Sequence, residues 1–179
     1  MLTILNKHQI EYIYHNFMVF DFPPDELKPL PHLLRMVDEG LCTYYALMDG
    51  EEVLSYFGLC VKGGFALVDY LAVNPNKRGK GIGSKTLEML KAAAGENSII
   101  VECEEPRAAK SSDEEKLRQR RINFYLKANF RLTEVKATLF GVDYVLLCYP
   151  AAETKTRQGY ETVYRAMLPA KMYEKNMIL

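Results

Sequence analysis

Hydrophobic and polar positions fall into blocks that change their spacing along the chain, and each block predicts one element. Two helices are predicted near the start, at 7–20 and 25–39. Apolar and aromatic residues then fill 41–48 and 53–61, on either side of Asp49-Gly50. An Asp-Gly pair between two such runs is typical of a hairpin turn. The pattern therefore predicts two antiparallel strands after the helices.

The next block predicts a buried strand. Residues 65–73 are apolar on both faces except for Asp69, and such a strand belongs in the middle of a sheet. Helical spacing follows over 81–94, and another strand is predicted at 98–103. Because a helix joins these two strands, we expect them to be parallel.

The second half predicts one more helix and a closing hairpin. Ser112-Asp113-Glu114-Glu115 has the form of a capping box, and the helix after it is predicted to end near Asn129. Strands at 130–138 and 142–149 follow. The prediction is a mixed α/β domain over 1–150, with a central mixed sheet flanked by helices. A C-terminal extension, 151–179, is predicted to pack one amphipathic helix on that domain.

Composition and charge are those of a globular protein. Hydrophobic residues make up 49% of the 179 residues and charged residues 26%, which excludes a disordered or fibrous chain. The 23 Lys and Arg balance the 23 Asp and Glu, so nothing supports nucleic acid as a partner. Neither a signal-peptide core nor an apolar run of about 20 residues is visible. We therefore expect a cytoplasmic protein with no membrane partner.

The cysteine and histidine positions give no sign of a metal site. No CxxC pair occurs, and each cysteine lies in an apolar stretch. The cysteines are Cys42, Cys60, Cys103 and Cys148. We predict that all four are free, mostly buried thiols of a reducing compartment, and that no metal is bound.

The segment 73–85 joins the buried strand to a helix through a glycine-rich turn. Three glycines stand at alternate positions in it: Gly79, Gly81 and Gly83. Glycine lets the backbone approach a bulky anion, and the first N–H groups of a helix lack partners within the helix. Arg78, Lys80 and Lys85 add positive charge, so a pyrophosphate suits this turn. The alternative is a turn that uses glycine only for tight packing.

Two motifs in the chain resemble the GNAT superfamily of acyl-CoA-dependent N-acetyltransferases. Arg78-Gly79-Lys80-Gly81-Ile82-Gly83 matches the family motif Q/R-x-x-G-x-G/A without gaps. The segment 121–130 is similar to the helix end FYxxxGF, with Asn129 where glycine is usual. Asparagine also tolerates the left-handed conformation that a helix end needs. The resemblance extends over 1–150 in the element order β-α-α-β-β-β-α-β-α-β-β.

The resemblance implies acetyl-CoA as the cosubstrate, lying between the parallel strands at 65–73 and 98–103. Backbone groups of Leu71 and Val73 would pair with the amides of the pantetheine arm. The residues that would take or flank the pyrophosphate are Arg78, Gly79, Lys80, Gly81, Ile82, Gly83 and Ser84.

Tyr125 matches the family position that faces the thiol of CoA, and the resemblance implies a general acid there. Protonation of a thiolate near pKa 8.5 by a tyrosine near pKa 10 is uphill by about 2 kcal/mol. Either the site lowers the pKa of Tyr125, or Tyr125 mainly donates a hydrogen bond to the sulfur. The structural alternative is a core aromatic residue.

Three carboxylates are candidate bases: Asp69, Glu102 and Glu104. Asp69 is the one charge of a central strand, and burial would raise its pKa towards a useful value. Glu102, followed by Glu104, lies near the end of the next strand, where the acceptor should enter. We rank Asp69 first and Glu102 second. The structural alternative for each carboxylate is a salt bridge or a position at a solvated strand end. A chain of water molecules is the alternative to any single base.

The sequence therefore predicts an N-acetyltransferase that moves an acetyl group from acetyl-CoA to a primary amine of a small molecule. Acidic residues in two segments hint at a cationic acceptor: Asp21, Asp25 and Glu26, with Glu102, Glu104 and Glu105. Acetylation of a protein or peptide is the alternative among enzymes, and a non-catalytic acyl-CoA-binding module is the alternative of another class. We expect a monomer or a homodimer.

Overall fold

The computed structural model describes residues 1–24, 26–150, 152 and 154–179. Its α-helices are α1 (Lys7–Ile13), α2 (Val19–Asp21), α3 (Leu30–Asp38), α4 (Ile82–Ala94), α5 (Ser112–Lys127), α6 (Thr156–Met167) and α7 (Ala170–Asn176). Its strands are β1 (Leu2–Ile4), β2 (Cys42–Asp49), β3 (Glu52–Lys62), β4 (Phe65–Val73), β5 (Ser98–Glu104), β6 (Arg131–Leu139), β7 (Val142–Tyr149) and β8 (Met177–Ile178). A π-helical turn occupies Tyr14–Met18, and 3₁₀ turns occupy Pro75–Lys77 and Pro106–Ala108.

The strands form one mixed sheet in the order β1-β2-β3-β4-β5-β7-β6-β8. The pair β4 and β5 is parallel, with Phe65 opposite Ser98 and Leu67 opposite Ile100. The pairs β1–β2, β2–β3, β5–β7, β6–β7 and β6–β8 are antiparallel. With helices flanking the sheet, this architecture confirms the predicted fold class, including the parallel pair joined by a helix.

The chain divides into two compact units, and both β3 and β4 contribute residues to each. The first unit consists of Met1–Cys60 and Asp69–Ala93, and the second of Val61–Val68 and Ala94–Leu179. Fully buried side chains form a core in each unit. Those of the first include Ile10, Met18, Leu33, Met36, Phe57 and Leu87. Those of the second include Leu67, Ile100, Leu146, Leu147, Tyr160 and Val163.

In the first unit, local signals explain where the helices begin. Asn6 caps α1, because its side chain accepts a hydrogen bond from Gln9 N, and the side-chain oxygen of Gln9 accepts one from Asn6 N. The predicted helix at 7–20 is interrupted by the π-helical turn. The next helix begins at Leu30 rather than at 25, because Pro29 biases the residue before it, Lys28, towards extended backbone. Proline is tolerated within the first turn itself.

Helix α4 is fixed to β3 by a buried polar contact within the first unit. The hydroxyl groups of Ser55 and Thr86 lie 2.6 Å apart, and both side chains are fully buried. Thr86 also donates to the carbonyl of Ile82 at 2.8 Å. The contact therefore holds the first turn of α4 in a defined place beside the strand.

In the second unit, α5 begins one residue earlier than its predicted capping box. Ser111 is the cap, and its side chain accepts a hydrogen bond from Glu114 N. The helix ends as predicted, because Asn129 adopts a left-handed φ of 64° and Phe130 N bonds back to Tyr125 O at 3.1 Å.

The C-terminal extension contains more structure than the single predicted helix. Helix α6 is followed by α7 and by β8, which pairs with β6 through Leu139 and Met177. Gly159 in α6 packs directly on Phe65, so that a Cβ atom at position 159 would overlap the ring. The face of α6 that is buried in the second unit carries Tyr160, Val163, Tyr164 and Met167.

The prediction of four free thiols is wrong for two of the cysteines. Cys42 on β2 stands opposite Cys60 on β3, and the two form a disulfide. The register of the hairpin brings them together, which their separation of 18 residues in the sequence does not reveal. Cys103 and Cys148 are buried thiols. Of the helices in the described part of the chain, none has both the length and the apolarity needed to cross a bilayer.

Candidate active site

The glycine-rich turn lies in the first unit between β4 and α4, and its backbone is left-handed at alternate glycines. Gly79 and Gly81 both have a φ of 77°, which side-chain-bearing residues rarely adopt. The preceding 3₁₀ turn is capped by Asn74, whose side chain accepts from Asn76 N at 3.1 Å. Backbone N–H groups in such a turn form a concave anion-binding surface.

The turn has room for a ligand and carries donors for it. No atom outside the turn lies within 4 Å of where a Cβ of Gly79 or Gly81 would stand. Lys85 N bonds to Gly81 O at 3.1 Å, so the N–H groups of Ile82, Gly83 and Ser84 precede the first bond of the helix and have no partner within it. A pyrophosphate fits this arrangement of open backbone and donors.

Positive side chains flank the turn. Arg78 and Lys80 are exposed, and Arg78 Nε donates to the carbonyl of Val73 at 3.2 Å. That contact holds Arg78 against the end of β4. Lys77 is engaged elsewhere, because its Nζ lies 2.7 Å from Glu52. The exposed cations at the turn are therefore Arg78, Lys80 and Lys85.

Asp69 on β4 is buried, and both of its carboxylate oxygens have partners. Lys28 Nζ lies 2.5 Å from Oδ1, and the hydroxyl of Tyr44 donates to Oδ2 at 2.5 Å. The side chain of Asp69 is 1% exposed and that of Lys28 is 20% exposed. Asp69 would have to release one of these partners to accept a proton from a substrate.

The tyrosines around Asp69 hold their protons. Burial, reinforced by the charge of Asp69, raises the pKa of Tyr44 well above its ordinary value. Burial raises the pKa of Tyr70 to about 12, although Lys28 opposes the shift. These phenols therefore act as hydrogen-bond donors at neutral pH.

Further aromatic and acidic side chains of the first unit lie within residues 17–22 and on β3 and β4. Tyr56 donates to Asp21 at 2.8 Å, and the rings of Phe17 and Tyr56 are 6.4 Å apart. Phe22 contacts Tyr70 edge-on, with ring centroids 4.8 Å apart. Of the acidic residues expected to favour a cationic acceptor, Asp25 lies outside the described residues.

Glu102 on β5, in the second unit, is held by two tyrosines of α6. The hydroxyl of Tyr160 donates to Oε1, and that of Tyr164 lies 2.8 Å from Oε1 and 3.0 Å from Oε2. Burial and the charge of Glu102 raise the pKa of Tyr160 well above its ordinary value. The sequence predicts an amphipathic helix in this extension but does not connect its tyrosines to Glu102. Their i, i+4 spacing, which points two phenols in one direction, was the available signal.

Tyr125 on α5, also in the second unit, is buried among aromatic rings. Its ring centroid lies 5.2 Å from that of Phe124 and 5.4 Å from that of Phe130. Burial raises the pKa of Tyr125; Cys103 adds to the shift and Arg121 opposes it. A raised pKa makes full proton transfer to a thiolate harder, so these surroundings favour a hydrogen-bond donor.

The acidic residues that follow Glu102 are engaged in ion pairs. Glu104 lies 2.7 Å from Arg118 and 2.6 Å from Arg121, and Glu105 lies 2.6 Å from Lys136. The hydrogen bond from Lys136 lowers the pKa of Glu105. Within the described residues, no group of three or more His, Cys, Asp or Glu side chains could hold a metal ion.

The mixed sheet with its parallel β4–β5 pair and the glycine-rich turn at the start of α4 are the two features that the resemblance to the GNAT superfamily leads us to expect. Residues 40–132, just over half of the 179, match the family model described as "Acetyltransferase (GNAT) domain". The chain belongs to this family and is an acetyltransferase. The family recognised from two motifs is thereby confirmed.

Solved structures show the same fold. A protein of Bacteroides thetaiotaomicron assigned to the GNAT family superposes with a TM-score of 0.72 at 23% identity, over 93% of this chain and 95% of its own. The ribosomal-protein-S18-alanine N-acetyltransferase of Escherichia coli superposes with a TM-score of 0.62 at 15% identity, over 86% of this chain and 95% of its own. An aminoglycoside 6'-N-acetyltransferase complexed with coenzyme A superposes with a TM-score of 0.57 at 12% identity, over 86% of this chain and 98% of its own. No curated protein matches the chain significantly.

Proposed function

We propose that this protein transfers an acetyl group from acetyl-CoA to a primary amine of a small molecule. The observation that carries the proposal is the turn before α4. Gly79 and Gly81 share a φ of 77° with open space beside them, and Arg78 and Lys80 flank them. This combination suits the pyrophosphate of CoA, and the GNAT fold binds that cosubstrate.

The pantetheine arm is assigned to the edge of β4, because the backbone N–H and C=O groups of alternate residues in a strand point to the same edge. The side chains of alternate residues also share a face, so Asp69, Leu71 and Val73 have their backbone groups on one edge and their side chains on one face. Leu71 and Val73 are half-buried, whereas the side chain of Asp69 is 1% exposed. The backbone at Leu71 and Val73 offers the groups that would pair with the amides of pantetheine.

The reaction needs an amine without its proton, a positioned thioester and a partner for the leaving sulfur. The amine nitrogen attacks the thioester carbon, the C–N bond forms, and the C–S bond breaks. Tyr125 is the proposed hydrogen-bond donor to the sulfur. Asp69 stays the first candidate for the base, because it is the one carboxylate on the face of Leu71 and Val73. Glu102, held by Tyr160 and Tyr164, stays the second, and a water chain is the alternative to both.

A cationic acceptor is proposed. Its support is the group of carboxylates and aromatic rings in the first unit, Asp21, Tyr56, Asp69 and Tyr70, because ammonium groups bind to carboxylates and aromatic faces. The aminoglycoside enzyme that shares the fold acts on an amine of this kind. We place the reaction in the cytoplasm, as the sequence predicts, and propose a monomer or a homodimer.

A thiol-release assay tests the function. Purified protein and acetyl-CoA are mixed with simple amines, polyamines, aminoglycosides and peptides, with an acceptor-free reaction as the control. The expected result is acceptor-dependent release of CoA with at least one small amine. Release with peptides alone would favour the protein-acetylating alternative. Tight binding of acetyl-CoA with no release on any acceptor would favour a non-catalytic acyl-CoA-binding module.

A further inference from the structure

The ammonium of Lys28 already lies in a setting that suits an acceptor amine. It pairs with Asp69 at 2.5 Å and lies 4.9 Å from the centroid of the Tyr70 ring. A carboxylate and an aromatic face are the two groups that most favour a bound ammonium. The chain itself therefore supplies a primary amine at this place in the first unit.

The backbone around Lys28 is fixed as well. Lys28 N donates to the hydroxyl of Tyr70 at 2.8 Å, and the hydroxyl of Tyr14 donates to Lys28 O at 3.2 Å. The side chain is 20% exposed, so water and small solutes reach it only in part. These contacts present the amine in one defined orientation and do not leave it on a freely moving loop.

The position of Asp69 along β4 puts this amine next to the reacting end of the cosubstrate. From the turn that takes the pyrophosphate, the pantetheine arm runs back along β4, first past Val73 and then past Leu71. Asp69 is the next residue on the same face, about 7 Å further along at roughly 3.3 Å per residue. Under the proposed function, the thioester therefore ends beside the carboxylate that holds Lys28.

We propose that the protein acetylates its own Lys28, within one chain and at the side-chain nitrogen. This inference rests on the proposed function. Asp69 takes a proton from the ammonium, and the neutral nitrogen attacks the carbonyl carbon of acetyl-CoA. The C–N bond forms and the C–S bond breaks. Of the two protons that the nitrogen loses, one ends on the thiol of CoA and the other in solvent, so the products are acetyl-Lys28 and CoA.

Acetylation changes the site that carries it. An acetylated lysine has no positive charge, so the ion pair between Lys28 and Asp69 is lost while the hydrogen bond from Tyr44 to Asp69 is retained. Asp69 then has a carboxylate oxygen available to an incoming ammonium. Lys28 is in this sense the first acceptor, and its modification prepares Asp69 for the next.

The test is a time course of the full chain with acetyl-CoA and no added amine, followed by peptide mass spectrometry. Two lysines serve as internal controls. Lys7 is 54% exposed, and Lys77, which is 29% exposed, is ion-paired much as Lys28 is. We expect Lys28 to gain an acetyl group at least roughly tenfold faster than either, because an amine held at the thioester reacts by proximity. The rate constant is expected to be independent of protein concentration.

A variant of the turn separates enzymatic from chemical acetylation. In Gly81→Val, which should not bind acetyl-CoA, the acetylation of Lys28 is expected to fall to the rate of Lys77, while that of Lys7 is unchanged. Lys28→Arg keeps the positive charge and is expected to show no acetylation at position 28.

The outcomes that overturn the proposal are distinct from those that overturn the function. Suppose that the wild-type protein binds acetyl-CoA in calorimetry and turns over an amine, yet acetylates Lys28 no faster than Lys7 or Lys77. The self-acetylation is then wrong and the proposed function stands. Equal acetylation of Lys28 in the wild-type protein and in a Gly81→Val variant that calorimetry shows not to bind acetyl-CoA would likewise overturn the self-acetylation alone. If the protein neither binds acetyl-CoA nor turns over any amine, the proposed function is wrong, and the inference is overturned with it.

Discussion

The phenol of Tyr160 donates a hydrogen bond to the carboxylate of Glu102, 58 residues earlier in the chain. Tyr164, one turn further along α6, donates to the same carboxylate. Hydrogen bonds of this kind stabilise a carboxylate in its charged form. The C-terminal extension is thus attached to β5 through a residue that is also a candidate base.

Replacement of either tyrosine by phenylalanine removes a donor from a charged acceptor. Tyr160→Phe and Tyr164→Phe are each expected to lower the free energy of unfolding by about 1.5–3 kcal/mol, measured by urea denaturation. In a Glu102→Gln background the loss should shrink, because the acceptor no longer carries a charge. Tyr173→Phe is the matched control. The centroid of the Tyr173 ring lies 4.3 Å from the guanidinium carbon of Arg165, and phenylalanine keeps this ring contact. A loss no larger than that of the control would mean that the contacts to Glu102 contribute little.

Gly81→Val is expected to abolish the binding of acetyl-CoA in calorimetry, because its side chain would fill the open space that the pyrophosphate needs. Gly95→Val is the control for backbone strain. Gly95 lies beyond the other end of α4 with a φ of 61°, and a Cβ there also meets nothing within 4 Å. Both variants should lose similar stability, but only the first should lose the cosubstrate. Unchanged affinity in Gly81→Val would place the pyrophosphate elsewhere.

Tyr125→Phe should bind acetyl-CoA normally and lose about 10²- to 10⁴-fold in turnover, the range typical of a group that assists a leaving atom. The measurement is kcat on the authentic acceptor together with calorimetry of acetyl-CoA. Tyr173→Phe again provides the comparison. A variant with full turnover would identify Tyr125 as a core aromatic residue.

Buried tyrosines make the protein sensitive to alkali. The pKa of each is raised chiefly by burial; the residues are Tyr44, Tyr56, Tyr70, Tyr125 and Tyr160. The unfolded chain ionises near pH 10 while the folded chain keeps the protons, so stability is fully present below pH 10 and falls above it. Each tyrosine contributes about 1.4 kcal/mol per pH unit to the slope. Urea denaturation between pH 9 and 11.5 measures that slope, and Tyr125→Phe should reduce it by one such contribution. A stability that does not change with pH would contradict the prediction.

The parts of the site that were predicted from the sequence are those that local backbone rules determine. The turn at 78–84 is recognisable because it needs glycine at left-handed positions, and the end of α5 because Asn129 adopts the same conformation. The shared face of Asp69, Leu71 and Val73 follows from the alternation of a strand. The cap of α5 was misplaced by one residue, from Ser111 to Ser112, because either serine satisfies the local pattern.

The partners of those residues were not predictable, because they depend on register and on the path of distant segments. Cys42 meets Cys60 only through the alignment of β2 with β3. Lys28 contacts Asp69 although it lies 41 residues earlier in the chain. It stands in the irregular segment before α3, where the sequence predicts a helix. No periodicity in the sequence specifies which segment packs on which.

The close packing of Gly159 on Phe65 has an evolutionary consequence. Any side chain at position 159 would overlap the ring, so a substitution there can persist only after position 65 has become smaller. The two positions are therefore constrained as a pair, although 94 residues of sequence separate them. Among relatives that keep this extension, a glycine at 159 is expected to accompany an aromatic residue at 65, and the two should be lost together.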